Sequence, residues 1–177
     1  MKILVTGGPV YAKIDAVKIV TNRFRGGLMA RLADELIGDE DVEVVYLCAR
    51  GSAEPQMCVG PDDLGGREPT SGNRIVYHDG FHDYRAKVLE MAPEFDAVVL
   101  GAAIANLIPV GCSGSFIEEA QRVERGEPSG FVHLPLDGKF PSHDYKPGDH
   151  VHMIWMIAPR IIDEVKEVMK SGAHLFG

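Results

Sequence analysis

The 177-residue sequence predicts an α/β fold, a three-layer sandwich with a mainly parallel sheet. Two observations predict it. Short apolar runs rich in β-branched residues alternate with segments whose apolar residues recur three and four apart, which is the βαβ rhythm. The runs are also continuously apolar, the pattern of strands buried on both faces.

KILVT (2–6) opens as the first strand, and GLMARLADELI (27–37) is the first helix. VEVVYLCA (42–49) and RIVYH (74–78) follow as strands, then the helix FHDYRAKVLEMA (81–92) and the strand FDAVVLGAA (95–103). HVHMIWMI (150–157) reads as a further strand and PRIIDEVKEVMK (159–170) as the last helix. AHLFG (173–177) looks like a strand just starting, either a true edge strand or the remnant of a shortened polypeptide. Two stretches break the rhythm: 51–73, rich in Gly, Pro and Asp, and 110–149, which is long and rich in Gly and Pro. Loops of that length usually serve as lids, binding loops or partner contacts. Within the second, SFIEEAQRVE (115–124) reads as a short amphipathic helix.

The chain is long enough, and at 45% apolar residues apolar enough, to bury one domain's core without disulfides or metals. A formal charge of −8 argues against a general nucleic-acid or anionic-membrane surface, so an anionic ligand must be met by a local cationic cluster. Cys48, Cys58 and Cys112 are too few and too scattered for a disulfide framework or a zinc site. No apolar run approaches a membrane span and the N-terminus shows no leader, so the expectation is a soluble cytoplasmic protein. His150 and His152 share one face of a strand, and His78 with His82 flank a helix start. Either pair would need a third ligand to hold a metal, and packing or surface roles fit them better. Trp155, Met153 and Met156 are expected in the core or at a dimer face.

The segment TGGPVYAKIDAVKIVTNRFRGG (6–27) follows the first strand, where a Gly-rich turn and a helix N-terminus would present backbone N–H groups to a phosphate. Lys13, Lys18, Arg23 and Arg25 fall here with a single acid, Asp15, forming a positive patch in an acidic protein. Solvated loop charges are the plainer alternative. A dinucleotide fingerprint starting at Gly7 would need glycine where Pro9 and Ala12 stand, and Arg50, at the end of strand two, is the only hint of a 2′-phosphate partner. An NADP-dependent reductase is therefore the weakest reading.

The run TGG-x₅-ID-x-VK-x-VTNR-x₂-G (Thr6 to Gly26) resembles the opening of the phosphopantothenate–cysteine ligase family, also called phosphopantothenoylcysteine synthetases. AAIANLIP (102–109), GKFPS (138–142), AP-RII (158–162) and YLCARGSAEP (46–55) resemble later elements, in the family's order. The resemblance implies a single Rossmann-like domain over 1–177 that joins phosphopantothenate to cysteine in coenzyme A biosynthesis. CTP or ATP would be the cosubstrate, Mg²⁺ the accompanying ion and a homodimer the assembly. It implies Asn22 and Lys139 at the reacting centre, with Gly7, Gly8, Lys18, Arg25, Ala102, Ala103 and Asn106 lining the ligand. It names no metal ligands. Without the resemblance, Asn22 reads equally well as the N-cap of the following helix.

The chain departs from the family pattern at several points. Lys18 stands where arginine is preferred, Pro9 replaces a glycine, Phe24 and Arg25 replace paired serines, and Asn106 replaces an aspartate. The segment 110–138 is longer than in most bacterial members, which implies an inserted flap or dimer loop. The family also continues beyond the position of Gly177 with further lysines, which implies possible C-terminal truncation. A homologue that binds a nucleotide or phospholigand without completing the ligation is the alternative function.

Overall fold

The computed structural model describes residues 1–66, 72–113, 124–125 and 130–177. They form two compact units: one comprises 1–11, 21–105 and 159–177, the other 12–20 and 106–158. The expected helix over 115–124 lies, apart from Glu124, outside the described residues.

The first unit is built on five parallel strands: β1 (Lys2–Thr6), β5 (Glu43–Ala49), β6 (Arg74–His78), β7 (Ala97–Leu100) and β12 (His174–Phe176). Their spatial order is β12-β7-β1-β5-β6. The strand expectations hold, except that the strand expected over 95–103 is cut to Ala97–Leu100, and the final residues do pair, as an edge strand beside β7. In β5, Val44 to Leu47 are wholly buried, as a strand covered on both faces must be.

Among the described residues three helices cover the sheet: α1 (Gly27–Ile37), α2 (Phe81–Met91) and α3 (Ile161–Val168). Ala30, Ala33 and Ile37 of α1 fall on one helical face and pack with Ile3, Val5, Val44 and Tyr46. Thr6 has the opposite parity to Val5, and the α2 residue Tyr84 donates its hydroxyl proton to Thr6 Oγ1 at 3.1 Å, so α2 lies on the other face. Arg85 of α2 grips Glu164 of α3 with two bonds of 2.8 and 2.6 Å, placing α3 beside α2. Helices on both faces complete three layers.

Chain progression moves one way from β1 to β5 and β6 and the opposite way to β7 and β12. The reversal leaves a crevice at the carboxyl ends of β1 and β7, where open α/β sheets bind ligands. A short parallel ladder, β2 (Pro9–Val10) with β8 (Ala103–Ile104), joins the two segments that leave those strands.

The second unit is antiparallel. Strand β9 (Leu107–Ser113) lies between β10 (Val132–His133) and β11 (His152–Ile157), and β3 (Ala12–Lys13) with β4 (Ile19–Val20) makes a small hairpin. The expected strand near 150–157 therefore exists but does not extend the parallel sheet. Strand β9 runs into the stretch expected as a long loop. Its Pro109 lacks an N–H, and the β9–β11 register slips there, with Ile154 opposite Gly111 and Trp155 opposite Pro109. Trp155 and Met156 are exposed by 39% and 43%, so they are not core residues of this chain.

Candidate functional site

In the first unit, the turn after β1 carries Gly7 and Gly8, and helix α1 begins beside it. Gly26 is the N-cap of α1, with φ of 83°. The N-cap role open to Asn22 thus falls to Gly26. A methyl group on Gly26 would run into the backbone nitrogen of Gly8 and lie 2.7 Å from its Cα, so the loop and the helix start meet backbone to backbone. No side chain caps α1 and no acid occupies its first turn; its first backbone bond is Ala30 N–H to the Gly26 carbonyl, at 3.1 Å. The N–H groups of Gly27, Leu28 and Met29 precede that bond at the positive end of the helix dipole.

Gly8, Arg25 and Ala103, all expected ligand-lining residues, border one pocket of about 290 Å³ together with Phe24, Gly27 and Gly101. Ala102 follows Gly101 at the end of β7, and its N–H points to Thr6 Oγ1 at 3.3 Å. The lips of the pocket are fastened by N–H groups of Ala103 and Ala105 donating to the carbonyls of Gly8 and Val10, at 2.9 and 3.0 Å. Those bonds do not call on residue 9, which is why Pro9 fits between them without a lost partner.

Asn22 is half-buried at the same place. Its side-chain amide donates to the carbonyls of Ala103 and Ile104, both at 3.0 Å. With both N–H groups engaged, the group left to act on a ligand is the acceptor Oδ1. Arg50, the reductase hint, is instead bound to Asp62 at 2.7 and 3.0 Å and lies over the Tyr77 ring at 4.3 Å.

In the second unit, Lys18 and the backbone beside Lys139 are held by one carboxylate, Asp15, that sequence reasoning passed over as a site residue. Asp15 is 2% exposed. Its Oδ1 accepts the N–H groups of Val17 and Lys18 at 2.7 and 2.5 Å; its Oδ2 accepts the Lys18 ammonium at 2.9 Å and the Phe140 N–H at 2.8 Å. The Phe140 N–H first, then the Lys18 donors and Val17, hold this carboxyl far below the usual carboxylate range. Bonds from Ala16 N–H to the Gly138 carbonyl and from Leu136 N–H to the Ile14 carbonyl complete the fastening. Lys139, exposed, sits between the two clamped residues. The only signal for Asp15 in the sequence was its position as the lone acid among four cations. Beside it, Ile14, Lys18, Cys112, Phe140 and Met153 border an apolar hollow of about 180 Å³. Asn106 is exposed at the foot of β9, its carbonyl accepting the Ala158 N–H at 2.9 Å.

Among the described residues no three His, Cys, Asp or Glu side chains gather as a metal group. His82 stacks edge-on against Phe81, whereas His78 is 3% exposed, edge-on to Tyr84, with its Nε2 unpartnered. Burial pushes the His78 pKa down from 6.5 to about 4. Since the folded state resists protonation, stability is full above pH 6.5 and falls as pH drops from 6.5 towards 4. The slope is about 1.4 kcal/mol per pH unit. Urea midpoints measured at pH 7 and pH 4.5 will show His78→Leu losing less stability over that interval than the parent; equal losses would rule this out.

No helix among the described residues is long and apolar enough to cross a membrane. No protein-family model and no curated protein matches the sequence. Solved structures do match. The DNA/pantothenate metabolism flavoprotein from Streptococcus pneumoniae superposes with a TM-score of 0.68 at 21% identity, over 99% of this chain and 67% of that one. A mutant of Cab2 gives 0.64 at 11% identity, over 98% of this chain and 61% of that one. The same mutant in complex with phosphopantothenate-cysteine gives 0.61 at 12%, over 97% and 60%. The fold is therefore the one these proteins share, and this chain spans about two thirds or less of their lengths.

Proposed function

We propose that this chain is a phosphopantothenate–cysteine ligase homologue, joining 4′-phosphopantothenate to cysteine at the expense of CTP or ATP in coenzyme A biosynthesis. Support comes from the ordered motif resemblance and from a fold shared with a protein solved in complex with phosphopantothenate-cysteine. The single observation that carries it is the strand-reversal crevice, where the uncapped start of α1 and Arg25 offer donors and positive charge to a triphosphate.

In this reading the substrate carboxylate attacks the α-phosphorus of the nucleotide, pyrophosphate leaves, and an acyl-nucleotidyl anhydride forms. The amine of cysteine then attacks the acyl carbon, the nucleoside monophosphate departs, and the amine nitrogen gives up a proton. Lys139 supplies positive charge to the reacting carboxylate and phosphate, and Lys18 binds an anionic group of the substrate. Asn22 presents Oδ1 as an acceptor for the incoming amine, because its N–H groups are already bound. The described residues offer no ready-made Mg²⁺ cage, so the ion enters this proposal only as the companion of the triphosphate oxygens. The enzyme would work as a homodimer in the cytoplasm.

A second reading, a homologue that holds a nucleotide or phospholigand without ligating, is favoured by the same Asn22 bonds, which remove its N–H groups from acyl-oxygen stabilisation. Pyrophosphate release with phosphopantothenate, cysteine and CTP or ATP separates the two. Turnover is expected. No turnover with either nucleotide, combined with a CTP- or ATP-dependent rise in Tm, selects the binding protein. Protection by NADPH alone would select the reductase.

A further inference from the structure

We propose that Asp15 is the positioning residue of the lysine cluster in the second unit, a buried carboxylate that fixes the Lys18 ammonium and the backbone that carries Lys139. The kinetic part of this proposal rests on the ligase reading; the structural part does not.

The argument begins with burial. A carboxylate at 2% exposure needs every strong acceptor site met, and Asp15 meets them with four donors from two chain segments more than a hundred residues apart. Three of those donors belong to the turn 15–18; the fourth, Phe140 N–H, belongs to the residue next to Lys139. Gly138, on the other side of Lys139, is held by Ala16, the neighbour of Asp15. The exposed lysine is thus clamped before and after, with its side chain free to swing and its Cα fixed. Lys18 is held differently: its ammonium touches Asp15 Oδ2 while its side chain stays 49% exposed, so it can bind a second anion without leaving the first.

Asparagine cannot replace this carboxylate. Whichever way the amide is turned, its NH₂ faces either two turn N–H groups or Phe140 N–H and the Lys18 ammonium, donor against donor. A charge-assisted bond lost at Phe140 is expected to raise its amide exchange about tenfold or more, and a Lys139 displaced by about 1 Å to lower kcat about a hundredfold.

The test uses the full chain as wild type, Asp15→Asn, Lys139→Ala and the double variant. Amide exchange is expected to rise in Asp15→Asn over residues 136–141 and to stay unchanged in β1 and β5. In pyrophosphate release, Asp15→Asn is expected to lower kcat with the nucleotide KM within about twofold, and to add little to the loss already caused by Lys139→Ala, since residues acting through one another are not additive. Unchanged exchange at Phe140, or fully additive losses in the cycle, overturns the proposal. If wild type itself shows no turnover with CTP or ATP, the ligase reading fails, and the exchange result alone decides whether Asp15 holds Lys139. Should Asp15→Asn not fold, Asp15→Ser carries the same readouts: its hydroxyl still serves the 15–18 turn but does not reach Phe140.

Discussion

Replacing Gly26 with alanine is expected to destabilise the protein by about 3–5 kcal/mol and to abolish nucleotide-dependent stabilisation. Two costs combine. A φ of 83° is left-handed backbone, which an L side chain occupies at about 1–2 kcal/mol. The added methyl also meets the backbone of Gly8, which has no rotamer to give way. Relief requires the loop and the start of α1 to part, widening the pocket whose N–H groups are proposed to meet the phosphates. Gly27→Ala is the control, because a Cβ there meets nothing within 4 Å and its φ is ordinary. It is expected to be neutral or stabilising by about 0.5 kcal/mol, since alanine is the better helix former. Urea denaturation of both variants, with and without CTP, decides the matter. Equal midpoints for the two would refute the close-approach argument.

Lys139→Ala is expected to lower pyrophosphate release by about 10²–10³-fold while leaving the denaturation midpoint within about 0.5 kcal/mol of wild type. The separation follows from its setting. Its side chain is exposed, so little packing depends on it, but its backbone is held between Gly138 and Phe140, so its charge originates from a fixed point. Lys139→Arg is expected to restore charge and part of the rate, since a guanidinium is longer and planar where an ammonium is compact. Turnover in Lys139→Ala within about threefold of wild type, measured at saturating nucleotide, would remove this residue from the reacting centre.

The parallel sheet was legible because each of its strands is a compact apolar run with a distinct boundary. KILVT, RIVYH and the helix 27–37 have the bounds expected of them. The antiparallel unit was not legible in the same way. LIPVGCS contains a proline and a glycine, which read as loop, and it becomes a strand because β10 and β11 flank it and a register slip accommodates Pro109. Asn22 looked like a helix cap because it is a good capping residue a few positions ahead of a helix. The observed cap is a glycine, chosen by the close approach of Gly8, a contact between residues eighteen apart that no local pattern records.

Local composition by itself determined the strands of the parallel sheet and the helices that cover it, since burying an apolar run or stripe is a property of that run. It also determined that cations gather between residues 13 and 25 of an acidic chain. Only the tertiary structure decided that Asn22 gives its N–H groups to Ala103 and Ile104, and that a lone aspartate fastens both the Lys18 ammonium and the distant backbone next to Lys139. The physical reason is that a buried polar group must find partners wherever the folded chain supplies them. Those partners are set by which segments meet, not by which residues are neighbours.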